Sequence, residues 1–204
     1  DTDVATAAEA LDRCGEVLRH MAGSQLHPDG LSLDVVDIDR LVERVCTSIG
    51  QANEGTVIKY MATGRAPRRA LVPAVAFSQA VLNLIDNALK AGGPGQPIEI
   101  VVSRQAGRVD VSVLDRGAGW PAVVQRHFGE PFVTTRPDGV GLGLYYVYTL
   151  AEAIGASLEL GDRRAGGAIA RISLPAVSAS SAGANTGQED ESIPSPATPI
   201  GATS

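Results

Sequence analysis

The stretch "NLIDNALKAG", residues 83–92, constrains this chain most. Leu84, Ile85, Ala88 and Leu89 supply the apolar side of a helix that a glycine stops. Asn83, Asn87 and Lys90, spaced three and four apart, project together from one face. Asparagine is a poor helix former, so a helix that carries two of them in a row presents them to something.

The segments around this helix read as mixed structure. "LSLDVVD" is a strand, and Asp37 caps a helix running to about residue 51. "VIKYMAT" and "RALV" are short strands, and Pro73 opens the asparagine helix. "IEIVVSR" and "VDVSVLDRG" alternate as a hairpin. An irregular stretch then leads into a helix, "GLGLYYVYTLAEAIGA", and "SLELGD" with "AIARISLP" forms a second hairpin. Helices with mostly antiparallel strands make an α+β layer structure.

At 204 residues and 44% apolar composition the chain can bury one sizeable core. A net charge of −6 argues against a general nucleic-acid or anionic-membrane surface, so no nucleic-acid partner is expected. Cys14 and Cys46 have no metal-ligand spacing, which favours a reducing compartment. No apolar run of about 18 residues and no signal peptide is present, so the chain reads as soluble.

The sequence begins inside a helical pattern. Val4, Ala8, Leu11, Leu18 and Met21 recur along a seam, with Cys14 and Gly15 between, and "GSQLHPDG" follows as a breaker-rich linker. Residues 1–23 are therefore expected to be half of a dimerisation hairpin, the alternative being a core helix. Residues 24–36 are linker and first strand, 37–176 the main domain, and 177–204 a Ser-, Ala-, Pro-, Thr- and Gly-rich tail expected to be disordered.

Three further stretches bear on the polar row. "DRGAGW", 115–120, puts Asp115 at the end of a strand beside Gly117 and Gly119, where the backbone lets a flat ring approach and the carboxylate accepts from an exocyclic amine; the plain alternative is a turn. "GVGLGL", 139–144, places Gly139, Gly141 and Gly143, with Leu142 among them, just before a helix whose amide donors suit a phosphate. Between them, Thr134, Thr135 and Arg136 of "GEPFVTTRPD" sit where a mobile segment covers an anion, or form a solvated loop.

Taken in order, these stretches resemble the asparagine, first glycine, phenylalanine and second glycine boxes of the GHKL ATP-binding fold. "GGAIARISLP" resembles its closing glycine-box hairpin, and the resemblance covers about residues 37–175. It implies a two-layer α/β sandwich of the GHKL (Bergerat) type. The families with this pocket are sensor histidine kinases, anti-sigma-factor serine kinases, and the gyrase, MutL and heat-shock chaperone ATPases.

Position 83 discriminates among them. By resemblance the ATPases and serine kinases carry a glutamate base there. Asn83 cannot usefully take a proton, whereas a kinase that phosphorylates an imidazole needs no such base. The sequence thus resembles a sensor histidine kinase, with a non-catalytic nucleotide-sensing module or a GHKL-type serine kinase as alternatives. The resemblance implies that Asp115 accepts from the adenine amine and that Gly117 and Gly119 admit the ring. Asn87, assisted by Asn83, would hold Mg²⁺, and Lys90 would balance phosphate charge. Gly139, Gly141, Leu142 and Gly143 with Thr134 and Thr135 would hold the phosphates, and Arg136 would steady the γ-phosphate.

A narrower resemblance, through "RCGEVL", "GEPFVTTR" and "GVGLGLYYV", is to RegB/PrrB-type redox-responsive kinases, and implies a redox role for Cys14; a small seam residue is the plain alternative. None of His20, His27 or His127 is followed by the family's phosphoacceptor motif. The resemblance then implies a fragment: the cytosolic portion of a membrane-bound homodimeric sensor, with its histidine-bearing hairpin partly outside this sequence and a response regulator as partner.

Overall fold

The computed structural model describes residues 32–52, 55–93, 95–137 and 139–177. The expected hairpin helix, with Cys14, His20 and His27, and the tail beyond residue 177 lie outside them. The order is β1 (Asp34–Asp37), α1 (Ile38–Ala52), β2 (Ile58–Thr63), β3 (Arg69–Val72), α2 (Ala74–Gly92), β4 (Ile98–Gln105), β5 (Arg108–Leu114), α3 (Ala122–His127), α4 (Gly143–Ala153), β6 (Ser157–Asp162) and β7 (Ala168–Pro175).

Local chemistry sets the boundaries. Asp37 caps α1, its Oδ1 accepting the Arg40 N–H at 3.2 Å. Ile38, Leu41, Val42, Val45 and Ile49 then bury one face at three- and four-residue steps. Pro73 occupies the N-cap of α2, where its missing N–H costs nothing, and Gly93, at φ +75°, ends that helix. The irregular stretch expected after β5 contains α3, six residues with only Val124 buried, too short to show a period.

The main sheet runs β2-β4-β5-β7-β6. β4, β5, β7 and β6 pair antiparallel as the two hairpins require, but β2 pairs parallel with β4 because β3 and α2 intervene and return the chain in the same direction. β1 and β3 form a separate two-stranded sheet. Backbone pairing continues past β7, with the Val177 N–H donating to Arg69 O at 2.8 Å, one residue beyond the boundary that composition suggested.

One face of the sheet is apolar. Ile98, Ile100 and Val102, Val109, Val111 and Val113, and Ala170, Ile172 and Leu174 alternate inward against α1, α2 and α4. Each fully buried Ile, Leu or Phe there, such as Phe77, Leu84 or Leu150, contributes on the order of 1.5–3 kcal/mol. The outer face is polar. Arg171 Nε donates to Ser112 Oγ and Arg108 Nε to Ser173 Oγ, so arginine stems cover the serines they bond. The architecture is the expected two-layer α/β sandwich. Because α2 buries Phe77, Ala80, Val81, Leu84, Ile85 and Ala88, its Asn83, Asn87 and Lys90 row is turned away from the core.

Candidate functional site

The polar row of α2 forms one wall of a cleft of about 1130 Å³, counted to its open mouth. The end of β5 and the turn after it form the floor, and the segment between α3 and α4 forms the opposite wall.

Asp115 directly follows β5 and is 4% exposed. Its Oδ1 accepts the Gly117 N–H at 2.8 Å and the Ala168 N–H at 3.1 Å. No buried side-chain oxygen among the described residues lacks a partner, and Asp115 lines the cleft, so its second oxygen is open to that space. One acceptor therefore remains unused by the protein at the cleft floor. Gly119, at φ +86°, and Trp120 continue the floor, with Trp120 Nε1 donating to Ile169 O at 2.9 Å. Trp120 had no assigned role in the sequence reading although it closes the motif.

Gly117 stands behind this surface. A Cβ there would lie 2.5 Å from Ala91 O, so its missing side chain lets the turn pack on the last turn of α2. Close packing on α2 is what this geometry asks of Gly117. Leu142 is likewise off the wall, 7% exposed, at the N-cap of α4.

The glycine segment lines the cleft at Gly139, Gly141 and Gly143. Gly141, at φ +73°, lies so close to Phe132 that a Cβ would be 2.6 Å from the Phe132 carbonyl carbon, and the Phe132 N–H donates to Gly141 O at 3.0 Å. The segment between is thus tied at its base. Gly143 begins α4 and lines the cleft with Leu144, so the first turn of that helix, its positive end, borders the cleft. Thr134 and Thr135 are both exposed on the wall, and Thr134 Oγ1 accepts the Arg136 N–H at 3.0 Å and crowds any Cβ at Gly139.

On α2 the two asparagines differ. Asn83 lines the cleft but both ends of its amide are bonded to protein groups, its Oδ1 accepting from Gln79 Nε2 at 3.0 Å and its Nδ2 donating to Gly143 O at 3.3 Å, so it ties α2 to the start of α4. Asn87 Oδ1 accepts from Arg136 Nη1 at 3.4 Å, and Arg136 Nη2 donates to Asn87 O at 2.9 Å. An amide oxygen that faces a guanidinium suits a hard cation, so the donor chemistry of Asn87 fits Mg²⁺ while the oxygen of Asn83 faces Gln79. Lys90 Nζ lies 2.8 Å from Asp86 Oδ2, both half exposed, and such a pair is weak enough to yield its ammonium to a phosphate. Asp86 also lines the cleft, a residue the sequence reading passed over.

The other candidates lie apart. His127, at the end of α3, pairs with Glu130 at 2.9 Å. Cys46 is half-buried on α1, and burial pushes its thiol up to about 11, which keeps it protonated and inert.

Residues 73–178 match the family described as histidine kinase-, DNA gyrase B- and HSP90-like ATPase. The chain belongs to this family. It is 28% identical over 170 residues to the sensor histidine kinase ZraS of Escherichia coli, a match covering 82% of this chain and 36% of ZraS. Among solved structures it is similar to full-length ShkA in complex with AMPPNP, with a TM-score of 0.64 and 30% identity over 73% of this chain and 32% of ShkA. The fold is also that of the histidine kinase ThkA in complex with the response regulator TrrA, with a TM-score of 0.69 and 18% identity over 83% of this chain and 49% of that one. The chain spans about a third of the length of ZraS, and no described helix is long and apolar enough to cross a membrane.

Proposed function

We propose that this chain is the ATP-binding catalytic part of a sensor histidine kinase, transferring the γ-phosphoryl group of ATP to a histidine on a hairpin helix for relay to a response regulator. The observation that carries it is the single open oxygen of Asp115, held at the floor of a cleft whose other walls offer amide donors and cations. That oxygen accepts from the adenine amine. Lys90, and Arg136 once it leaves Asn87, turn to the phosphates, and Gly139, Gly141 and the amides at the start of α4 surround them. Asn87 holds Mg²⁺, with Asn83 one turn before it. When bound, the metal would supply positive charge against the phosphates. No glutamate base is needed, because the acceptor is itself a nucleophilic imidazole.

The response regulator follows the precedent of ThkA with TrrA. In the whole protein we place the chain on the cytosolic side of a membrane-bound homodimer. The RegB/PrrB-type refinement, with Cys14 as a redox residue, rests on sequence alone, and kinase activity under oxidant and reductant with Cys14→Ala tests it separately.

Labelled ATP supplied with a separate histidine-bearing hairpin decides the central reading. Acid-labile phosphate should appear on the hairpin, none on this chain, and Asn87→Ala should abolish transfer. ATP binding without labelling of any supplied hairpin would mark a nucleotide-sensing module instead.

A further inference from the structure

We infer that Arg163 is a positioning residue for Asp115, through which the turn between β6 and β7 sets how strictly the cleft demands an exocyclic amine. This rests on the adenine reading of Asp115 above.

The turn grips Asp115 at every polar atom but one. Arg163 Nη1 donates to Asp115 O at 3.1 Å. Ala168 O accepts the Asp115 N–H at 3.1 Å, and the Ala168 N–H donates to Oδ1 at 3.1 Å. Gly167 presses on the same carbonyl, at φ +103°, where a Cβ would come within 2.1 Å of Asp115 O. Arg163 is anchored in turn. Its N–H donates to Gly167 O at 2.9 Å, closing the hairpin, and its Nη2 lies 3.3 and 3.4 Å from the two oxygens of Glu99. Glu99 stands opposite Leu114 in the sheet, so this ion pair is fixed to the strand end from which Asp115 emerges. Arg163 and Glu99 are only 17% and 16% exposed, which spares the pair most solvent screening.

The consequence is directional. With Oδ1 fixed, the open oxygen meets a ligand in one orientation, and a purine bearing an amine there bonds while one bearing a carbonyl sets acceptor against acceptor. Without Arg163 the Asp115 carbonyl loses its donor and the turn its tether to Glu99. The carboxylate then gains freedom to rotate onto another donor, such as the ring N–H of a 6-oxopurine. Loss of preorganisation should lower discrimination more than it lowers binding in general.

The test is displacement of a fluorescent ATP analogue from the whole chain by ATP or by inosine triphosphate, which carries an oxygen in place of the amine. Wild type should prefer ATP by about tenfold or more. In Arg163→Met, ATP should weaken by roughly five- to tenfold while inosine triphosphate changes less than about twofold, so the preference collapses. Arg163→Lys, whose single point donor cannot serve both Glu99 and Asp115, should fall between. In an Asp115→Asn background Arg163→Met should not alter the ratio further, which a merely structural role would not produce. If Arg163→Met fails to fold, Arg163→Lys decides. A wild-type ratio in a folded Arg163 variant, whether both affinities hold or fall together, overturns the proposal. Absence of any ATP preference in wild type instead overturns the adenine reading itself.

Discussion

The guanidinium of Arg136 lies across the cleft on Asn87, donating to its backbone carbonyl at 2.9 Å and reaching its amide oxygen at 3.4 Å. This arginine therefore holds the oxygen proposed as a magnesium ligand, and the segment between α3 and α4 that carries it is latched to α2. A cation and a phosphate must together displace it. Arg136→Met should unlatch the segment, so amide exchange at Gly139, whose N–H bonds Arg136 O, should speed by about fivefold, equivalent to roughly 1 kcal/mol. The same variant should slow transfer to a supplied hairpin on the order of tenfold to a hundredfold, the cost of a lost charged hydrogen bond. Unchanged exchange would show that the latch contributes nothing.

Asp115→Asn separates recognition from folding. The new side chain can keep its carbonyl oxygen at the Gly117 and Ala168 amides and place its NH₂ where the open oxygen was, so the backbone contacts survive. A donor then faces the adenine amine. ATP binding should weaken by about 1–3 kcal/mol while the melting temperature moves little. Undiminished affinity would remove Asp115 from the adenine role.

How much of this was legible beforehand follows from the range of the signals. The asparagine row was readable because a helix places residues three and four apart on one face whatever surrounds it, and Asn83, Asn87 and Lys90 do share the cleft wall. Both hairpins were readable from alternation. What one sequence could not reveal is contact between distant segments. Gly117 fits against Ala91, the oxygen of Asn83 faces Gln79, and β2 runs parallel to β4, each through packing that leaves no local pattern. Trp120 and Arg163 carried no local signal because their partners, Ile169 and Glu99, lie far away in the chain.

Two glycines with positive φ make a controlled comparison. Gly167, at +103°, has Asp115 O where a Cβ would go, whereas Gly64, at +84°, has nothing within 4 Å. Gly64→Ala should cost only backbone strain, about 1–2 kcal/mol. Gly167→Ala adds a backbone clash, for a total of about 2–5 kcal/mol, and weakens ATP binding in the fraction that folds. Urea denaturation of both variants checks the ranking, and equal losses would mean that the strand end tolerates displacement.

Glu99 gives the fold an acid-sensitive joint. The guanidinium of Arg116, which donates to Oε1 at 3.0 Å, is the main cause holding its carboxyl below the ordinary 4.5, and Arg163 adds to it. A carboxyl whose folded pKa is depressed contributes stability that is present above its unfolded value and lost as pH falls through the folded one. The contribution should therefore be complete well above pH 4.5, fade below it, and be gone once the pH has passed the lower folded value. The quantity that isolates this carboxyl is the difference between wild type and Glu99→Gln. That difference, followed by urea denaturation at successive pH values, should favour wild type at neutral pH and shrink on acidification. ATP affinity should fall in Glu99→Gln in the same pH range, because Arg163 loses its anchor. A stability difference that stays constant into acid would show that the two arginines make no net use of the Glu99 charge.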